Sequence, residues 1–134
     1  MTNHARGRFD TARTAEPPYD TREGVMLGRS RFEKRFEGDL VGTSVVNMIS
    51  AGSSVKGSAG YVAIERVEGE LAGRSGSFVL QHSGTMDRGV ASLSVTVVPD
   101  TATGALVGLR GRMTIDFTNG EHRYTFDYEL PEQA

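Results

Sequence analysis

The chain has 134 residues, a formal net charge of -2 and a sequence pI near 5.9, with no cysteine and no tryptophan. Lack of cysteine excludes a disulfide framework, a thiolate nucleophile and a cysteine zinc site, and the charge leaves no broad cationic surface for nucleic acid. The length fits a single domain over residues 1–134, large enough to enclose an apolar core without a disulfide or metal staple.

No apolar run approaches the roughly 20 residues of a membrane span, and the first ten residues are polar with no signal core. The expectation is a cytoplasmic protein of bacterial type with no membrane partner. Glycine is abundant, at 17 residues, and falls between short β-rich runs. Frequent tight turns need it, because glycine reaches positive φ without a Cβ clash.

The pass along the chain begins with a mobile N-terminus over about residues 1–6. Residues 6–14 read as an edge strand, stopped by Pro17 and Pro18, which cannot donate to a ladder. Residues 20–24 form a charged turn. Runs at 26–36 and 40–49 follow, separated by Gly38 and Asp39. Val41, Val45, Val46 and Ile49 favour extended backbone in the second. A Gly/Ser-rich connection covers 50–58. Residues 61–67 read as a strand, 69–76 as a turn-rich stretch, 77–83 as a strand and 84–89 as a turn.

The clearest strand is 91–98. Leu93, Val95 and Val97 alternate with Ser92, Ser94 and Thr96, the period-two pattern of a sheet with one dry face. Pro99 stops it, and a polar loop follows at 100–104. In 109–117, Met113, Ile115 and Phe117 alternate with polar residues. Asn119 and Gly120 predict a type I′ hairpin, whose two central positions both need positive φ. The last strand puts Tyr124, Phe126 and Tyr128 on one face, and residues 131–134 form a tail. No stretch carries a sustained helical period. About eight short strands predict an all-β fold, a closed antiparallel eight-stranded barrel with little or no helix, since closure removes exposed edges.

Several phrases carry a family resemblance. They are Lys34 through Leu40, Gly60 through Arg66, and most specifically Gly73-Arg74-Ser75-Gly76-Ser77-Phe78 with the following Gln81-His82. Thr103-Gly104 and His122-Arg123-Tyr124 follow in order. Together they resemble domain-of-unknown-function family 3224 over about residues 8–131. That resemblance implies small bacterial barrels similar in fold to allene oxide cyclase, with a central cavity. One departure is the tryptophan that family members often carry near the positions of Arg13 and Thr14, absent here.

Glu65 shares parity with Tyr61 and Ala63. If that face points inward, burial raises the pKa of the carboxyl and makes it a candidate catalytic acid or base. If Val62 and Ile64 point inward instead, Glu65 is solvated. His82 shares parity with Phe78 and Leu80; it is either a proton-moving catalytic residue or a hydrogen-bonded core histidine. Tyr61, Phe78, Leu80, Met113, Tyr124 and Tyr128 are the candidate substrate-binding residues, because aromatic and apolar side chains line ligand cavities. Glu65, His82 and His122 could form a metal triad, but no clustered His-x-His accompanies them, so no metal is expected. The glycine-rich stretches lack a following Gly-Lys-Ser/Thr and open no helix, so no phosphate-bearing cofactor is expected either. The basic run Arg29, Arg31, Lys34, Arg35, broken by Glu33, reads as a solvated strand face.

The functional expectation is a cofactor-independent cyclase or isomerase acting on an apolar or aromatic small molecule in the barrel cavity. The alternative is a non-catalytic carrier or sensor using the same cavity. A barrel filled by side chains and used as an oligomerisation module is a third reading. A homo-oligomer is compatible with each, although no stripe in the sequence marks an interface.

Overall fold

The computed structural model describes residues 2–131. Its eight strands are β1 (Asn3–Ala15), β2 (Met26–Gly38), β3 (Leu40–Gly52), β4 (Ala59–Leu71), β5 (Arg74–Asp87), β6 (Val90–Val97), β7 (Arg110–Thr118) and β8 (Glu121–Glu129). Each pairs antiparallel with the next, and β1 closes on β8, so the meander is a closed barrel. Helical geometry among the described residues is limited to 3-10 turns at Arg22–Gly24 and Gly104–Leu106.

The predicted architecture is correct, and several boundaries differ. β1 is no edge strand: it pairs with β2 on one side and with β8 on the other. Nor is its start a loose end, because Asn3 to Arg6 lie opposite Tyr128 to Thr125. Of the expected tail, residues 132–134 lie outside the described residues, and Pro131 packs over Gly108.

The stretch 69–76 is mostly strand. β4 and β5 run into a two-residue hairpin at Ala72 and Gly73, both at positive φ. Asn119 and Gly120 have φ of 53° and 77°, as a type I′ turn requires. Glycines inside the strands serve close approach instead. Gly42 and Gly69 are cross-strand partners, and a methyl group on Gly42 would lie 2.1 Å from the Glu68 carbonyl oxygen. Neither backbone can retreat without breaking the ladder. Gly42→Ala is therefore expected to destabilise the barrel by about 1–3 kcal/mol, the usual scale of overpacking. Gly52→Ala, with nothing nearer than 4.0 Å, is expected to be close to neutral in the same urea titration.

The barrel interior has two halves. At the end carrying the β2–β3, β4–β5 and β6–β7 connections, Phe36, Leu40, Val67, Leu71, Phe78, Leu80 and Phe126 pack into a solid apolar core. The β6–β7 connection adds Leu106 and Leu109 as a plug. It is tied to β5 by Thr103 N–H donating to the Ser77 carbonyl at 2.8 Å. The Tyr124 hydroxyl accepts from Leu40 N–H at 3.0 Å and donates to the Glu37 carbonyl, which anchors this end. Towards the other end, inward positions turn polar and the packing loosens. There β6 and β7 diverge: their ladder holds the single pair Thr96↔Arg112. Leu93 and Phe117, beyond that pair, are 44% and 66% exposed.

Candidate functional site

At the boundary between the two halves, four inward side chains meet. Lys34 and Ser44 are cross-strand neighbours on β2 and β3, while Glu65 on β4 and His82 on β5 face them. Glu65 is 0% exposed, His82 4% and Lys34 9%. His82 Nε2 lies 2.7 Å from Glu65 Oε1, and Lys34 Nζ donates to the same oxygen at 3.2 Å. Ser44 Oγ–H donates to Oε2 at 2.6 Å. The carboxylate is thus held by three donors in an interior with little water.

Charge assignment follows from these partners. Burial pushes the Glu65 pKa up, but the His82 hydrogen bond, the Lys34 charge and the Ser44 hydroxyl together outweigh it, and the net shift is down. The net direction is the reverse of the rise expected from burial alone, and the three donors favour the ionised carboxylate. An ionised carboxylate only accepts, so His82 Nε2–H donates, and Nδ1 is the ring nitrogen left for another partner. Among the described residues no protein group bonds that Nδ1.

Above this cluster lies a cavity of about 200 Å³, lined by Lys34, His82, Tyr61, His122 and Thr11 together with apolar Phe9, Phe32, Val46, Met48, Leu93 and Ile115. Glu65 does not line it; the carboxylate stands behind His82 and Lys34. Burial, and then the charge of Glu65, raise the Tyr61 pKa, so its hydroxyl stays protonated. The Tyr61 ring lies across Gly84, where a methyl group would come within 2.5 Å of its edge. Lys34 Nζ stands 4.5 Å from the centroid of the Phe9 ring, and His122 stacks on that ring at 5.0 Å. A larger recess of about 420 Å³ lies against β1–β3, lined mostly by outward residues such as Asp10, Glu33, Arg35 and Thr43.

Of the sequence candidates, Glu65, His82 and Tyr61 come together here. Phe78, Leu80, Met113, Tyr124 and Tyr128 do not line the cavity; they fill the closed half as core. Phe126 stacks on Phe78 and on Tyr128, and side chains saturated by such contacts have no face left for a ligand. Lys34 is the largest correction. Its neighbours in sequence place it in a solvated basic run, yet it points inward and pairs with Glu65. The alternation Phe32, Lys34, Phe36 holds the signal, because a residue between two inward phenylalanines at period two must itself face inward. Ser44 was also missed, and its parity with Leu40 and Val46 places it inside. His122 reaches the cavity wall rather than the carboxylate, and no group of three metal-ligating side chains converges among the described residues.

Fold and site together define a small closed β-barrel whose apolar half supports a buried Lys–Glu–His cluster beneath an open-end cavity. The chain belongs to the DUF3224 family of proteins of unknown function, whose profile matches residues 5–128. A crystal structure of a DUF3224 protein of unknown function from Shewanella oneidensis MR-1 is similar at 46% identity and a TM-score of 0.93, covering 98% of this chain and 100% of that one. No curated protein matches. No helix of the described residues is long and apolar enough to cross a membrane.

Proposed function

We propose that the open-end cavity binds a small, largely apolar molecule and that His82 moves a proton on it, making the protein a cofactor-independent isomerase or cyclase. The observation that carries this reading is the shared oxygen: Glu65 Oε1 takes both His82 Nε2–H and Lys34 Nζ, beneath a cavity whose remaining walls are mainly apolar. Burying three ionisable groups is expensive for a small barrel, and a hydrophobic trio would serve packing as well. Such clusters in a cleft are characteristic of functional sites.

The roles divide by position. His82 Nδ1 takes a proton from a carbon next to a carbonyl of the bound molecule. The imidazolium that forms is held by Glu65, a positioning residue. The electron pair left on carbon delocalises onto the carbonyl oxygen, where Lys34 Nζ and the Tyr61 hydroxyl offer donors. Return of the proton to a different carbon completes an isomerisation; attack of the carbanion on a second carbonyl carbon of the same molecule breaks that C=O π bond and closes a ring, and the alkoxide so formed takes the proton back from His82.

Solvent exchange tests this without knowing the natural substrate. The protein is incubated in D₂O with 2-tetralone and 1-indanone, and deuterium uptake at the α-carbon is read by NMR. Exchange above buffer is expected, with a loss of roughly 10²–10⁴ in His82→Gln, the usual share of a general base. Cavity resonances that shift without exchange would establish the carrier reading. No perturbation of the cavity would remove both.

A further inference from the structure

The polar groups that reach this cavity are unequal in sign, and we infer that its ligand is an amphipathic anion: a carboxylate or enolate head beside Lys34, on an aryl or branched alkyl body. The inference rests on the cavity reading above and names the chemical class that the site takes.

The nearby acid is already engaged. Both oxygens of Glu65 have donors, and the side chain has no exposed surface. No carboxylate is among the residues lining the cavity. What a ligand meets instead is the Lys34 ammonium, which has three protons and gives one to Glu65. The Tyr61 hydroxyl adds a donor that no described group occupies. His122 contributes its ring at the rim, against Phe117. Arg13 lines a neighbouring recess instead, where it donates to Ser30 Oγ at 3.1 Å.

A cationic ligand has no comparable seat. Of the aromatic rings there, Phe9 already carries Lys34 and has His122 in stacking contact, and Phe32 has the Arg13 guanidinium 5.9 Å from its centroid. A neutral apolar ligand would offer no acceptor to the remaining Lys34 protons while displacing the solvent that could, which costs more than leaving them in water.

The apolar walls set the rest of the ligand. Phe9, Phe32, Val46 and Met48 surround the space, and Leu93 and Ile115 close it where β6 and β7 diverge. The body therefore lies against the seam, with the head at the cavity floor. At about 200 Å³ the cavity is below the roughly 300–1,000 Å³ of drug-sized sites, so a compact acid of one or two rings is the fitting size.

Two matched pairs of probes test the inference: trans-cinnamate with trans-cinnamamide, and 2-naphthoate with 2-naphthamide. Binding is followed by amide chemical shifts in ¹⁵N-labelled protein. The acids are expected to shift resonances of Lys34, Tyr61 and His82 and to bind at least about tenfold more tightly than their amides, the scale of one charge-assisted hydrogen bond. Lys34→Arg should keep that preference and Lys34→Met should abolish it. If Lys34→Met does not fold, Tyr61→Phe, at a half-buried position, should still narrow the ratio. Equal binding of acid and amide by the wild type overturns the anion assignment and leaves the cavity reading intact. An acid preference that survives in folded Lys34→Met overturns it as well. Failure of all four probes to perturb the cavity overturns both.

Discussion

Glu65→Leu unfolds much of the margin on which this barrel stands: the expected loss is about 3–5 kcal/mol, the cost of stranding a buried charge by removing its partner. Lys34 would remain in the interior with no carboxylate, and His82 Nε2–H and Ser44 would lose their acceptor together. For a domain whose total stability is on the order of 5–15 kcal/mol, the urea midpoint should drop by a large fraction. The double variant Lys34→Met/Glu65→Leu should recover part of the loss, because it removes the stranded ammonium while His82 Nε2–H and Ser44 stay without their acceptor. A cost below about 1 kcal/mol for the single change would mean that the cluster is not a buried charged network.

The same network predicts an acid limb. The folded-state pKa of Glu65 lies below its unfolded value, so its contribution is complete above the unfolded carboxylate range. It is lost as pH falls through the lowered folded-state value. Wild-type stability should therefore fall more steeply on acidification than that of Glu65→Gln, which has no proton to gain at that site. The ¹⁵N shifts of the His82 ring supply a readout that packing alone would not move. In the wild type they should report a proton on Nε2 and a lone pair on Nδ1, and in Glu65→Gln that bias should weaken.

Phe126→Ala carries the second large effect, about 3–5 kcal/mol, as expected for emptying a fully buried aromatic site. The ring stacks on Phe78 with centroids 5.8 Å apart and on Tyr128 at 5.4 Å, so its removal leaves a cavity that neither neighbour can fill without leaving the other. Its functional prediction is opposite in sense. Phe126 lies in the closed half, so at a temperature where the variant remains folded, deuterium exchange and probe affinity should match the wild type. A parallel loss of activity in folded Phe126→Ala would show that the two halves are not separate.

The alternation in β6 and β8 was legible in the sequence because neighbouring side chains in a strand point to opposite faces, and apolar residues at every second place mark the dry one. The hairpin at Asn119 and Gly120 was legible for an equally local reason, the steric demand of positive φ. Strand lengths were read short. Gly69 and Gly76 look like turn residues in a linear chain, whereas in the barrel they sit inside strands where two backbones nearly touch.

Composition and periodicity determined the all-β class, the number of strands, the hairpin positions and the absence of thiol chemistry, all of which depend on near neighbours along the chain. Only the tertiary structure decided the site. The parity of Glu65 was open, Lys34 looked like one charge in a solvated run, and five aromatic or apolar candidates proved to be core. These outcomes depend on which strands lie opposite one another and at which height in the barrel. Lys34 and Glu65 are 31 positions apart in sequence and meet through register across β3. A carboxylate's protonation state is a sum over every charge and dipole around it, and that sum exists only once the barrel has closed.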